Sequence, residues 1–207
     1  MKSKSLKNKL TFVILGRSGC GKGTQAKFVL ERFGKNKARH LETGRFFREI
    51  IAKYKNPTTE IARGVMARGH IFPAWLSAST WLKLVVEEGI ADRHWVFDGA
   101  PRWLWEAKLI DEVMQWHSRP LPLCIYIDTS LKEATRRLLL RGRPDDNRQA
   151  IRNRMRFFSK YVLPTISFFK KEGRLIEVNG NMPPDVVWKE IDQKLAKRLG
   201  KKWPRRR

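Results

Sequence analysis

Short apolar runs recur along the chain, and segments with a helical spacing of apolar positions separate them. Apolar runs of this length are typical of strands that are buried on both faces of a parallel sheet. The runs that predict strands are Leu10–Leu15, Ala38–Leu41, Trp95–Phe97, Leu121–Ile127 and Leu175–Val178. We therefore expect five strands and connections long enough to cross from one strand to the next.

The intervening segments carry apolar residues three or four positions apart, which predicts amphipathic helices. The predicted helices are Lys22–Phe33, Thr43–Lys53, Glu60–Arg68, Pro73–Glu88, Trp103–Trp116, Leu131–Leu140, Asp146–Lys171 with a break near Pro164, and Pro184–Leu199. Alternating strands and helices predict an α/β fold in which helices cover both faces of a five-stranded parallel sheet. In such folds ligands bind at the carboxyl ends of the strands.

The chain of 207 residues fits a single domain. Neither repeats nor Pro/Gly-rich linkers interrupt it, so we expect one core from about residue 10 to 195, with frayed basic tails at 1–9 and 197–207. Cys20 and Cys124 form no paired motif, which indicates a reduced, cytoplasmic protein without a zinc site. The basic start precedes only a short apolar run, so we expect no signal peptide and no membrane partner.

The formal net charge is +24, and the basic tails do not account for all of it. Three interpretations remain open at this point. The body of the protein contacts a polyanion such as RNA, its host has unusual ionic conditions, or the surface is basic without a dedicated partner.

One glycine-rich segment, Gly16 to Thr24, lies between the first predicted strand and the first predicted helix. Glycines let the backbone turn its amides toward an anion, and the helix N-terminus and Lys22 add positive charge. The positions that we expect to hold ATP phosphates are Gly19, Cys20, Gly21, Lys22, Gly23 and Thr24. Because Gly23 replaces the usual Ser or Thr, this loop offers no hydroxyl there for Mg²⁺.

The ending Gly-Lys-Gly-Thr-Gln-Ala resembles the nucleoside monophosphate kinases, above all the adenylate kinase family. Further blocks, in the same order as in that family, are Thr43 to Arg48, Val96 to Arg102 and Arg136 to Arg154. The resemblance implies a P-loop NTPase fold with a small monophosphate-binding helical segment, about residues 42–72, and a short lid, about 141–147. It covers nearly the whole chain, from Leu10 to about Leu195.

The second and third blocks imply an acceptor half-site. By resemblance, Thr43 and Gly44 open the acceptor-binding helix, and Arg48 and Arg102 hold the acceptor phosphate, with Gly99 beside them. Thr43 could equally cap the helix. Asp98 ends a buried strand beside the phosphate loop, where a carboxylate is well placed to hold a water of the Mg²⁺ shell.

Glu106 stands four residues after Arg102, where the family usually has a glutamine that hydrogen-bonds adenine. A carboxylate only accepts hydrogen bonds, so it would suit guanine or cytosine better than adenine N1. The alternatives are a shift of alignment by one position and a tolerated contact through the adenine amino group.

The last block implies a lid rich in arginine. By resemblance, Arg137 lies near the donor base, and Arg141, Arg143 and Arg154 close on the transferring phosphates. Only Gly142 separates Arg141 from Arg143, so the lid is too short for a zinc-binding subdomain. Phosphoryl transfer to an anionic phosphate needs no general base, and we expect the four histidines to be structural or on the surface.

The resemblance thus implies a reversible ATP-dependent phosphotransferase that acts on AMP, uses Mg²⁺ and works as a cytoplasmic monomer. A UMP/CMP kinase is the alternative within this class, because of Glu106 and the short lid. A nucleic-acid-associated P-loop protein is the alternative from another class, because of the basic surface and tails.

Overall fold

Five parallel strands form one sheet at the centre of the computed structural model, which describes residues 9–34, 36–88 and 93–205. The strands are β1 (Thr11–Leu15), β2 (Ala38–Glu42), β3 (His94–Asp98), β4 (Leu123–Asp128) and β5 (Leu175–Asn179). Their order in the sheet is β2-β3-β1-β4-β5, with Val13 of β1 in register with Phe97 of β3 and Cys124 of β4. The predicted five-stranded parallel sheet is confirmed.

Helices connect the strands. They are α1 (Lys22–Phe33), α2 (Thr43–Lys53), α3 (Pro57–Ala67), α4 (Ala74–Glu88), α5 (Leu104–Trp116), α6 (Leu131–Arg141), α7 (Arg148–Phe157), α8 (Leu163–Lys171) and α9 (Pro184–Leu199). A π-helical segment, Phe158–Val162, joins α7 to α8, and Pro164 lies in the first turn of α8. The predicted break near Pro164 is therefore present, because proline has no backbone N–H to continue the regular ladder.

One predicted helix starts earlier than expected. Helix α3 begins at Pro57 rather than Glu60, because Asn56 and Thr59 form a reciprocal capping box. The Asn56 side chain accepts from the Thr59 amide at 3.0 Å, and the Thr59 hydroxyl accepts from the Asn56 amide at 3.1 Å. Such a box satisfies two amides that a helix start would otherwise leave without partners.

Apolar residues cover both faces of the sheet. On one face Trp81 of α4, Ile110 of α5 and Phe169 of α8 are fully buried against the strands. On the other face Val29 of α1 and Ile191 of α9 are equally buried. With both faces covered, the carboxyl edge of the sheet is left for a ligand, as the alternating pattern predicts.

The C-terminal segment differs from the prediction of a frayed basic tail that starts at residue 197. Helix α9 runs to Leu199, a 3₁₀ turn follows at Gly200–Lys202, and Trp203 is 5% exposed. The Trp203 ring packs edge-on against Phe12 and Phe33, and its indole Nε1 donates to Asp192 Oδ1 at 2.8 Å. Aromatic burial together with this hydrogen bond fixes the segment as far as Trp203.

Within the described residues, no helix has the length and apolar character needed to cross a membrane. The predicted basic tail at 1–9 falls almost wholly outside the described part of the chain, as do residues 206–207.

Candidate active site

The loop between β1 and α1 has the backbone geometry of an anion-binding turn. Gly21, the N-cap of α1, is left-handed at φ 96°, and no side chain caps the helix. Gly19 also has positive φ, and a Cβ there would lie 2.4 Å from the Ala134 carbonyl oxygen. The Lys22 ammonium donates to the carbonyls of Gly16 at 3.0 Å and Arg17 at 2.9 Å. The uncapped first-turn amides and Lys22 together form a cradle for phosphate.

This loop forms one wall of a cleft of about 510 Å³ at the carboxyl edge of the sheet. Most of the predicted site residues line it: Gly19, Gly21, Lys22, Gly23, Thr24, Gly44, Arg48, Asp98, Gly99, Arg102, Arg137, Arg141, Arg143 and Arg154. Residues from the first, second, third and last sequence blocks therefore meet in one place. Three predicted residues, Cys20, Thr43 and Glu106, do not line the cleft.

Two of these three lie directly behind its wall. Cys20 is 2% exposed, so its thiol is buried and only its backbone can face a phosphate. Thr43 is 3% exposed and donates to the Asp98 carbonyl at 3.4 Å. It is the first residue of α2 and not its cap, because Glu42 holds the N-cap position. A Cβ on Gly99, at φ +86°, would lie 2.7 Å from the Thr43 hydroxyl, so the close approach of Thr43 to position 99 requires glycine there.

The expectation that Glu106 faces the acceptor base does not fit the structure. Glu106 is fully buried, and its Oε1 accepts from the Ser77 hydroxyl at 2.9 Å and from the Trp81 indole at 3.1 Å. Its Oε2 accepts from the Arg102 amide at 2.7 Å. Both oxygens thus accept hydrogen bonds, one from side chains of α4 and the other from the backbone just before α5. Glu106 lies on the face of α5 that is turned toward α4.

Arg102 reaches the cleft from the loop before α5, which the Glu106 carboxylate holds through the Arg102 amide. Its Nε donates to the Gly99 carbonyl at 2.8 Å, and its guanidinium lies 5.7 Å from the centre of the Phe157 ring. Burial lowers the pKa of Arg102, and the Glu106 charge opposes that shift. An arginine still keeps its charge at neutral pH. The loop therefore presents a fixed cation to the cleft.

Asp146 organises two arginines of the lid region. Its carboxylate accepts from Arg141 Nε at 2.8 Å, from Arg141 Nη2 at 2.7 Å and from Arg154 Nη1 at 2.8 Å. Arg154 also pairs with Asp145. Burial alone would raise the pKa of Asp146, but the hydrogen bonds and charge of Arg141 and the hydrogen bond of Arg154 outweigh it and lower the pKa. The carboxylate is therefore ionised and orients both guanidiniums.

Arg137 and Arg48 of the cleft also have protein partners. Arg137 donates to Glu133 at 2.7 Å and to the Met182 carbonyl at 3.2 Å. Arg48 pairs with Glu42 at 3.0 Å, between Nη2 and Oε1. Burial lowers the pKa of Arg143, and the charges of Arg141 and Arg48 lower it further. Arg143 is thus subject to the positive charges of Arg48 in α2 and Arg141 in α6, which line the same cleft.

Asp98, at the end of β3, offers a carboxylate beside the phosphate loop. Its Oδ2 lies 3.6 Å from His40 Nε2, and a Cβ on Gly23 would lie 3.3 Å from the same oxygen. Within the described residues, no group of three or more His, Cys, Asp or Glu side chains could hold a metal ion. One carboxylate near bound phosphates nevertheless suits Mg²⁺, which keeps most of its waters.

Several cleft residues were not predicted from the sequence. His40 and His70 line the cleft, although we expected structural or surface histidines, and Glu42 stands beside Arg48. Phe47 and Phe72 stack with ring centres 3.9 Å apart and form an apolar wall with Met66. Except for His40, all of these residues lie within the predicted monophosphate-binding segment, about residues 42–72, but none was singled out as a site residue. Phe72 reaches the site only through the packing of the α3–α4 connection.

The comparisons with known proteins agree with this arrangement. The family model described as adenylate kinase matches residues 14–174. The chain is 32% identical over 185 residues to an adenylate kinase of Prochlorococcus marinus, which covers 89% of this chain and 97% of that protein. It is 33% identical over 183 residues to an adenylate kinase of Thermus thermophilus, and the match covers 86% of this chain and 93% of that protein. The match to adenylate kinase 1 of a Synechocystis strain is 30% over 185 residues, with 87% and 94% covered. The chain therefore belongs to the adenylate kinase family.

Proposed function

We propose that the protein transfers the γ-phosphoryl group of ATP to AMP, forms two molecules of ADP, and catalyses the reaction in both directions. The observation that carries this proposal is the convergence of six cationic side chains, from four helices and two connecting loops, on one cleft beside the phosphate loop. These side chains are Lys22, Arg48, Arg102, Arg141, Arg143 and Arg154.

The cleft supports one nucleotide at each end. The loop amides, Lys22 and Arg137 would hold ATP, and Arg48 and Arg102 would hold the phosphate of AMP. An oxygen of that phosphate attacks the γ-phosphorus, and the bond from the γ-phosphorus to the bridging oxygen of ATP breaks, so that ADP leaves. The lid arginines neutralise the charge on the moving group, which is the main task in phosphoryl transfer. No side chain has to remove a proton.

Magnesium belongs to this proposal through Asp98. When bound with ATP, Mg²⁺ neutralises phosphate charge, and the Asp98 carboxylate would hold the ion through its waters. Gly23 leaves room for that carboxylate, since its Cα has no side chain and a Cβ there would approach Asp98 Oδ2 closely.

AMP is the acceptor that we favour over UMP or CMP. The reason to expect a different base was the Glu106 carboxylate, and that group is buried among Ser77, Trp81 and the Arg102 amide. The apolar wall of Phe47, Met66 and Phe72 suits a large flat purine. We further propose that the protein works in a reducing cytoplasm, which the two free, buried cysteines support. The proposal of a monomer rests on the family resemblance.

A coupled assay of ADP formation from Mg-ATP, with AMP, CMP, UMP and GMP as acceptors, tests the proposal. AMP should give the highest kcat/KM, by at least about tenfold, which corresponds to about 1.4 kcal/mol of discrimination. Equal use of all four acceptors, or a preference for CMP or UMP, would contradict it.

A second candidate activity, binding of RNA, is favoured by one specific surface. The outer face of α7 carries Arg148, Arg152 and Arg156, which are exposed and form no ion pair within the described residues. Asn147 and Asn153 fix the rotation of this helix by donating to the carbonyls of Ala67 at 3.3 Å and Arg68 at 2.8 Å. Three unpaired cations on one helix face complement a phosphate backbone.

Fluorescence anisotropy with a labelled RNA 20-mer over a range of salt concentrations tests this second candidate. The triple variant Arg148→Gln, Arg152→Gln, Arg156→Gln should lower the slope of log affinity against log salt by about 2. The control changes Lys170, Lys171 and Lys189 to Gln, which removes the same charge from exposed positions elsewhere. Equal losses in both variants, or no binding at physiological salt by the wild type, would remove the candidate.

A further inference from the structure

We propose that Glu42 acts as an internal anion in the acceptor subsite and competes with the phosphate of AMP for Arg48, which sets the affinity for the acceptor. This inference rests on the proposed function, because it concerns the same subsite. Its starting point is a carboxylate in a place where an anionic substrate is expected to bind.

The position of Glu42 is fixed by two elements. It is the last residue of β2 and the N-cap of α2, and it lines the cleft. An N-cap side chain usually accepts a hydrogen bond from a backbone amide in the first turn of its helix, but Glu42 makes no such bond. Its carboxylate instead accepts from the Arg48 side chain, at Nη2, at 3.0 Å. Glu42 therefore pairs with an arginine that lines the cleft and does not cap the backbone of α2.

The negative charge of Glu42 also acts on a second arginine of the cleft, Arg143. Burial and the charges of Arg141 and Arg48 lower the pKa of Arg143, and the charges of Asp145 and Glu42 oppose that shift. Arg48 and Arg143 both line the cleft, and their like charges repel each other. Glu42 relieves part of that repulsion, as a bound phosphate would.

The pair is accessible enough to exchange. The side chains of Arg48 and Glu42 are 37% and 28% exposed, so an incoming phosphate can replace the carboxylate without opening the core. Such half-exposed ion pairs are weak, and the AMP dianion brings more charge than Glu42 does. The presence of Glu42 should weaken acceptor binding, because Arg48 must break its ion pair with Glu42 before it pairs with the phosphate of AMP. The rate of transfer should hardly change, since the pair is already broken once AMP is bound.

The variant Glu42→Gln removes the charge and keeps the shape of the side chain. We expect the KM for AMP to fall about three- to tenfold, with kcat within about twofold and the KM for ATP unchanged. The matched control is Glu49→Gln, the same change at a carboxylate of α2 that, among the described residues, forms an ion pair only with Arg45, at 3.5 Å. In the control, kcat and the KM values for AMP and ATP should equal those of the wild type.

Isothermal titration with AMP alone gives a readout that does not need turnover. The Kd for AMP should fall in Glu42→Gln by the same factor as the KM, and Glu42→Ser should behave alike. An unchanged or weaker affinity in both variants, with their circular dichroism spectra intact, would overturn the inference. A wild type that binds AMP but forms no ADP would instead contradict the proposed function, and the comparison of Kd values would still decide the role of Glu42.

Discussion

The carboxylate of Glu106 accepts a hydrogen bond from the backbone amide of Arg102 at 2.7 Å. Glu106 lies in the first turn of α5 and Arg102 in the loop just before that helix, so this bond holds the loop from which Arg102 enters the cleft. The other oxygen of Glu106 binds Ser77 and Trp81 of α4. Glu106 thereby links the neighbouring helix to the position of an arginine that we place on the acceptor phosphate.

Replacing Glu106 should therefore affect all acceptors alike. In Glu106→Ala three buried donors lose their acceptor, so the free energy of unfolding should fall by about 3 kcal/mol. In the milder Glu106→Gln, kcat/KM should fall by a common factor for AMP, CMP and GMP, because Arg102 shifts for each. Urea unfolding and the acceptor panel measure both effects. A change of tenfold or more in the ratio between acceptors would show instead that Glu106 reads the base.

Replacing Lys22 should abolish turnover without unfolding the protein. Its ammonium is the cation of the phosphate loop, and losing one preorganised charge typically lowers kcat by about 10² to 10³. The variant Lys22→Met should melt within a few degrees of the wild type. Lys132→Met, an equal change at an exposed position of α6, is the control and should keep its rate. Near-normal turnover by Lys22→Met would refute the role of the loop.

Asp146 should make stability depend on pH in the acid range. The arginines lower its pKa below the ordinary 3.8, so the folded protein binds this proton more weakly than the unfolded chain does. Its stabilisation is then fully present above the ordinary pKa and is lost as the pH falls through the lower, folded-state value.

Urea unfolding of the wild type and of Asp146→Asn between pH 3 and pH 7 measures this effect. At pH 7 the variant should be less stable by about 2 kcal/mol, because Arg141 and Arg154 lose a charged acceptor. The two proteins should converge toward pH 3. A difference that stays constant over this range would show that ionisation of Asp146 does not contribute.

Trp203 should stabilise the fold and leave the chemistry alone. In Trp203→Ala the contacts with Phe12 and Phe33 and the hydrogen bond to Asp192 are lost, so the free energy of unfolding should fall by about 3 kcal/mol. The KM values should not change, because Trp203 does not line the cleft. Differential scanning calorimetry and the coupled assay check the two statements. An unchanged melting temperature would mean that the segment after α9 is not held.

The sequence predicted those features that depend on neighbours along the chain. The five strands and the phosphate loop are local patterns, and they appear where the spacing placed them. The order of the sequence blocks also predicted that Arg48, Arg102 and the lid arginines share one site, and all of them line the cleft. These positions follow from the fold class, because strand ends meet at one edge of a parallel sheet.

The features that the sequence did not reveal depend on tertiary packing. The partners of Glu106 in α4 lie 29 and 25 positions earlier in the chain, and no local spacing indicates that α4 faces α5. The same holds for Trp203, whose ring partners lie in β1 and α1. Glu42 was overlooked because its significance comes from its ion pair with Arg48, which no motif indicates.

The central claim is that one cleft holds two nucleotides and moves a phosphoryl group between them. The most direct measurement is the product stoichiometry, by chromatography of a mixture of Mg-ATP, AMP and the protein. One ATP and one AMP should disappear for every two ADP formed, without release of inorganic phosphate, and Lys22→Met should slow this exchange by about 10² to 10³. Formation of ADP with an equal amount of inorganic phosphate, and with AMP unchanged, would contradict it.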